Sequence, residues 1–246
     1  MMTTPENAAL QESLNATLAR WSSESADLEK QGAYDWLCTR INPQASRVLE
    51  IGCGFGASTA ALVRHGKSVF VLDNRMDCLE AARERVPDAI YGLADVGQIH
   101  ETLLADLNAF APQTLVLWIA GAPADALPHH VSAQQAVMQY RLAFQKAAVA
   151  LAAQVQSITS VHLADRTAFP WQMKDAGRET MAQIIRASVI ADSPFGVDTA
   201  DVQFRKLTLP VSASRLAMPA GISAVLGEAT LKRRVMNVSF LDGERE

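Results

Sequence analysis

Cysteine is scarce in this chain. Cys38, Cys53 and Cys78 are the only three in 246 residues, too few and too irregularly spaced for a disulfide framework or a zinc site, which points to a reducing compartment. Neither sign of charge dominates: 22 basic against 26 acidic side chains give a net charge of −4 and an isoelectric point near 5.8. That balance supplies no broad attraction to a phosphate backbone, so nucleic acid is a disfavoured partner. Long apolar runs are missing too. Met1 to Asn7 has no basic segment leading into an apolar core, and no later run is long enough to span a bilayer. A cytoplasmic protein without a membrane partner is expected, of no stated oligomeric state. What is present is 49% hydrophobic residues, enough for one sizeable core and a single domain, residues 1–44 forming a helical lid on a core over 45–246.

The most specific stretch is Val48-Leu49-Glu50-Ile51-Gly52-Cys53-Gly54-Phe55-Gly56-Ala57-Ser58-Thr59. An apolar strand ends in an acid, three alternating glycines make a turn, and small residues open a helix. This is the ligand corner of an open α/β sheet. Two ligand classes fit it. Gly52-x-Gly54-x-x-Ala57 meets the loose dinucleotide fingerprint, whereas Glu50 at the strand's mouth would repel a pyrophosphate and tolerate a cofactor carrying an ammonium and a sulfonium. Asp73 closes a second strand, Ser68 to Leu72, and suits the vicinal hydroxyls of a ribose. Asp95, after a third strand over Ala89 to Leu93, is placed to receive an adenine amino group. Two acids in series favour an adenosyl ligand without phosphates.

These residues resemble the first motif of the class I S-adenosylmethionine-dependent methyltransferases, and Val71-Leu72-Asp73-Asn74-Arg75-Met76-Asp77-Cys78-Leu79-Glu80-Ala81-Ala82-Arg83 resembles the second. A fainter likeness continues through Gly92-Leu93-Ala94-Asp95-Val96, so that the match covers roughly residues 45 to 97. The resemblance implies a Rossmann-like three-layer α/β sandwich, a mostly parallel seven-stranded sheet with an antiparallel last strand and amino-terminal covering helices. It implies S-adenosylmethionine as cofactor and methyl transfer to a small molecule or a peptide. By the same resemblance Glu50, Gly52, Cys53, Gly54 and Gly56 would meet the methionine end, Asp73 the ribose, Asn74 the adenine face, and Asp95 with Val96 the adenine edge. A nicotinamide-dependent oxidoreductase and a methyltransferase-like subunit without turnover are the alternatives.

Strands and helices alternate from Arg47 onward, which argues for a parallel sheet. Strands are expected near 114–119, 157–163, 202–209 and 234–241, helices over 57–65, 76–85, 98–109, 132–153 and 174–190. Val211 to Arg233 reads as an elaborated loop between the last two strands. Two helices, one bearing Leu10, Leu14, Leu18 and Trp21 and one from Ser25 to Arg40, cover the sheet, with Trp21 and Tyr34 as candidates for the wall over the ligand.

The acceptor region, Trp118 to His130, lacks the Pro-Pro-aromatic sequence used for base and amide nitrogens and the acid expected of magnesium-dependent catechol methyltransferases. No metal is expected, and no catalytic residue is assigned. His129 and His130 are candidate general bases if the acceptor must lose a proton. His162 reads as a satisfied core histidine, Tyr140 with Phe144 as a packed pair sharing a helix face with Arg141 nearby, Phe169-Pro170-Trp171 as a pocket wall or a loop anchor, and Lys232-Arg233-Arg234 as an anion site or edge-strand protection.

Overall fold

The computed structural model of the chain describes residues 5–121, 132–208 and 220–234, with side chains from residue 15 onward except 133 and 134. In chain order the elements are α1 (Pro5–Lys30), α2 (Ala33–Cys38), β1 (Arg47–Ile51), α3 (Ala57–Arg64), β2 (Ser68–Asp73), α4 (Met76–Arg85), β3 (Ile90–Leu93), α5 (Glu101–Phe110), β4 (Thr114–Trp118), α6 (Ala133–Gln154), β5 (Ser160–Pro170), α7 (Lys174–Ser188), β6 (Phe195–Gly196), β7 (Val202–Lys206) and β8 (Ile222–Arg233).

One sheet runs in the order β3-β2-β1-β4-β5-β8. The first five are parallel, and β8 lies antiparallel to β5 from Ser160 against Lys232 to Pro170 against Ile222. β6 and β7 follow one another along the far side of β8, at Arg233 and Lys232 and then at Ala229 to Val225. Eight strands therefore fill seven positions, in the expected α/β layering.

Two corrections concern the chain's ends. A strand antiparallel to β5 forms over Ile222–Arg233, within the segment read as a loop; of the strand expected near 234–241, residues 235–241 lie outside the described residues. Because β8 is flanked by strands on both edges and buried continuously over Val225 to Ala229, it shows no alternation, and Gly227 and Glu228 break its apolar run. At the other end α1 continues to Lys30, and the chain turns at Gly32, whose φ is +65°. Arg205 of β7 donates to the carbonyl of Gly32 at 2.6 Å and to that of Gln31, tying this turn to the sheet.

The pleat sorts the strands' side chains into two cores. Leu49, Ile51, Phe70, Leu72, Leu115 and Leu117 face α5, α6 and α7, where Leu107, Leu151 and Ile185 meet them. Val48, Val69, Val71, Val116 and Trp118 face α2, α3 and α4, against Leu37, Leu62 and Leu79. Helices on both faces explain why every residue of β4 is buried, each large apolar side chain contributing roughly 1.5–3 kcal/mol. The sheet's carboxyl edge stays open, and α1 and α6 flank it.

Candidate active site

At that edge lies a cavity of about 290 Å³, at the lower end of ligand-pocket sizes and far larger than a packing void. Of the expected residues, Gly52, Cys53, Gly54, Asp73, Asn74 and Val96 line it. A side chain on Gly54 would meet nothing within 4 Å, so the loop backbone is open to a ligand there. Asp73 closes β2 with its carboxylate on the cavity wall, taking the Arg75 amide at 3.0 Å on Oδ1 and the Cys53 thiol at 3.7 Å on Oδ2. Burial raises its pKa, and the amides of Arg75 and Gly54 oppose that rise.

Glu50, Gly56 and Asp95 are not on the wall. Glu50 points into the α3 face of the sheet, is 2% exposed, and accepts hydrogen bonds from Ser58 and, at 2.7 Å, Thr59 in the first turn of α3. Burial drives its carboxyl up to about 7, against the lowering effect of those hydroxyls. The acid expected at the mouth is thus a fastener beneath the loop, and Asp73 is the acid that faces the cavity. Gly56 serves packing: a Cβ on it would sit 2.9 Å from the Ala82 Cα of α4, at a φ of +76° that side chains disfavour. Asp95 is exposed and closes its own turn on the Gly97 amide at 2.8 Å, while its neighbours Ala94 and Val96 reach the cavity.

The rest of the wall holds residues that sequence reasoning placed elsewhere or passed over. Trp21 and Tyr34 line the cavity as expected, Tyr34 sharing a hydrogen bond with Ser25 at 3.1 Å. Tyr140, Arg141 and Phe144 line it as well, the two rings 5.9 Å apart, so this helix face is wall and not only core. Arg20, Glu24 and Arg166 were missed. The spacing of Arg20, Glu24 and Leu28 was the available signal, a stripe of one helical face. β4 ends in strain: Ile119, a β-branched residue on the cavity wall, has a φ of +56°. Its amide is fixed to the Ala164 carbonyl at 2.8 Å, and Trp21 packs on Gly121 just beyond.

His162 is 1% exposed and bonds Glu228 at 2.8 Å, with Arg40 at 3.1 Å and Thr230 at 2.7 Å completing the carboxylate's partners. It is the satisfied core histidine. His129 and His130 lie outside the described residues. Phe169 lies within β5 and not in a loop after it, and meets Phe204 of β7 edge to face at 4.8 Å. Lys232 pairs with Asp201 at 2.5 Å, and Arg233 donates to the carbonyls of Ile158 and Ala152, all away from the cavity. Burial pushes the Cys53 thiol up strongly and that of Cys78 up to about 12, so neither is a thiolate at neutral pH. Among the described residues no group of histidines, cysteines and acids is placed to hold a metal.

The chain is 35% identical over 85 residues to a trans-aconitate 2-methyltransferase of Afipia carboxidovorans, covering 32% of this chain and 33% of that one. It is 28% identical over 166 residues to a trans-aconitate 2-methyltransferase of Azoarcus sp. strain BH72, covering 66% and 61%. The chain is thus similar, over part of its length, to two methyltransferases. It spans about one third and three fifths of the lengths of these two curated methyltransferases. Among solved structures, the N-methyltransferase NodS from Bradyrhizobium japonicum WM9 overlays with a TM-score of 0.47 at 14% identity, over 84% of this chain and 87% of that one. No family model matches the chain.

Proposed function

We propose that the chain transfers a methyl group from S-adenosylmethionine to a small-molecule acceptor. The observation that carries this reading is Asp73 on the cavity wall beside the open backbone of Gly54. When bound, S-adenosylmethionine supplies a methyl group made electrophilic by its sulfonium sulfur. The Asp73 carboxylate on the wall would accept from the ribose hydroxyls. Asn74 and Val96 flank the adenine, and Gly52 to Gly54 lie along the methionine end. Glu50 acts from below, holding the first turn of α3 and with it the shape of the loop.

Described lining residues include no histidine, the thiols are protonated, and Glu24 is engaged with Arg166 at 2.6 Å. The chain's contribution is then to hold two molecules in line and exclude water, an effect worth several kcal/mol without acid or base. Residues 1–44 serve as the lid, supported by Trp21 and Tyr34 on the wall. A small acceptor, not a peptide, is favoured because both curated relatives are named for trans-aconitate. A cytoplasmic setting agrees with three buried free cysteines and with the lack, among the described residues, of any helix long and apolar enough to cross a membrane.

The test is transfer of tritiated methyl from the cofactor to a pool of small metabolites, trans-aconitate included. Label in an extractable product, lost in Asp73→Ala, is expected. No transfer, with NADH and not S-adenosylhomocysteine binding the protein, would replace this reading with an oxidoreductase.

A further inference from the structure

Three arginines from three separate elements line the cavity: Arg20 of α1, Arg141 of α6 and Arg166 of β5. Strands lie about 4.8 Å apart, so the three steps from β2 through β1 and β4 to β5 set Arg166 roughly 14 Å across the sheet from Asp73. Arg141 pairs with Asp165, the neighbour of Arg166, and Arg166 pairs with Glu24, one helical turn from Arg20, which brings the three arginines together on the side of the cavity away from Asp73. Arg75, the fourth guanidinium on the wall, is paired with Asp77 at 2.8 Å.

The internal partners do not exhaust these donors. Asp165 takes one Arg141 nitrogen at 2.7 Å and Glu24 one Arg166 nitrogen at 2.6 Å, while a guanidinium has five N–H groups. Arg141 Nε is buried with no hydrogen-bond acceptor among the described residues, and so is the indole nitrogen of Trp118, another wall residue. Arg20 is exposed at the rim and has no recorded ion pair among the described residues. Buried donors without acceptors cost free energy that a ligand oxygen would recover. Glu24 and Asp165 also show the group these donors accept, a planar carboxylate.

We infer that the acceptor is a small organic acid with at least two anionic groups, held by Arg20, Arg141 and Arg166 across the cavity from Asp73. This rests on the methyltransferase reading and names its substrate class. Carboxylate is the anionic group favoured, and phosphate is the competing source of the same chemistry.

Calorimetry tests it with propane-1,2,3-tricarboxylate, inorganic phosphate and the neutral trimethyl ester of the tricarboxylate as probes, on full-length protein with and without saturating S-adenosylhomocysteine. The tricarboxylate should bind, the ester should not, and Arg20→Ala and Arg166→Gln should each weaken binding about tenfold or more, as expected for one lost charge-assisted contact, with S-adenosylhomocysteine affinity unchanged. Arg20→Ala guards against misfolding, since its side chain is exposed and leaves no buried partner. Tighter binding of phosphate than of tricarboxylate would overturn the carboxylate assignment. Binding of S-adenosylhomocysteine with no anion binding, or anion binding indifferent to both substitutions, would overturn the inference and leave the methyltransferase reading standing. Arginine-dependent tricarboxylate binding without any S-adenosylhomocysteine binding would uphold the anion site and fell the methyltransferase reading alone.

Discussion

A carboxylate at the end of a strand can face a ligand or fasten the chain, and Asp73 and Glu50 divide these roles. Asp73→Ala removes the acid on the cavity wall, so S-adenosylhomocysteine affinity should fall about tenfold or more, measured by calorimetry on a variant with an unchanged far-ultraviolet spectrum. Glu50 behaves differently because its carboxyl is raised from an ordinary 4.5 to about 7 by burial. A raised acid favours the protonated form in the folded state, so its contribution is full below about 4.5 and is lost as pH rises through about 7. Glu50→Gln, which stays neutral, should flatten the fall in stability across that window by up to about 3 kcal/mol, read from urea midpoints at the two ends. Both acids were legible in the sequence as a pair of strand-end carboxylates. Their different duties were not, because the pleat that turns Glu50 toward Ser58 and Thr59 depends on which face α3 covers.

Elements pack through contacts that sequence periodicity conveys unevenly. α3 and α4 meet where Gly56 leaves room for Ala82, so Gly56→Ala adds a Cβ at 2.9 Å from a backbone carbon and imposes a φ of +76°. The cost should be about 2–3 kcal/mol, lowering the melting temperature by roughly 5–10 °C in differential scanning calorimetry. β5 and β8 carry the buried His162 and Glu228 with the half-buried Thr230, which Arg40 completes from the α2 side. Arg40→Met should destabilise by roughly 3 kcal/mol by leaving Glu228 short of a cation, and adding Glu228→Gln should recover part of that loss in urea unfolding. β1 to β4 and α3 to α7 were readable because two-sided burial makes apolar runs and helix faces repeat. β8 was not, since Gly227 and Glu228 interrupt an internal strand whose neighbours come from distant parts of the chain.

At the scale of the molecule, one open sheet edge brings the glycine loop, the end of β2, the strained end of β4 and the arginines of α1, α6 and β5 to a single cavity. The nucleoside end was visible in contiguous motifs over residues 48 to 96. The arginine-lined part of the wall was not, because Arg20 lies more than a hundred residues from Arg141 and Arg166 and meets them only through topology. The account's central claim is that this cavity takes an adenosyl methyl donor at Asp73. The most direct test is calorimetric titration of the intact protein with S-adenosylhomocysteine and, separately, NADH. Saturable binding of one S-adenosylhomocysteine per chain and none of NADH is expected; saturable NADH binding with no heat from S-adenosylhomocysteine would contradict that role for Asp73.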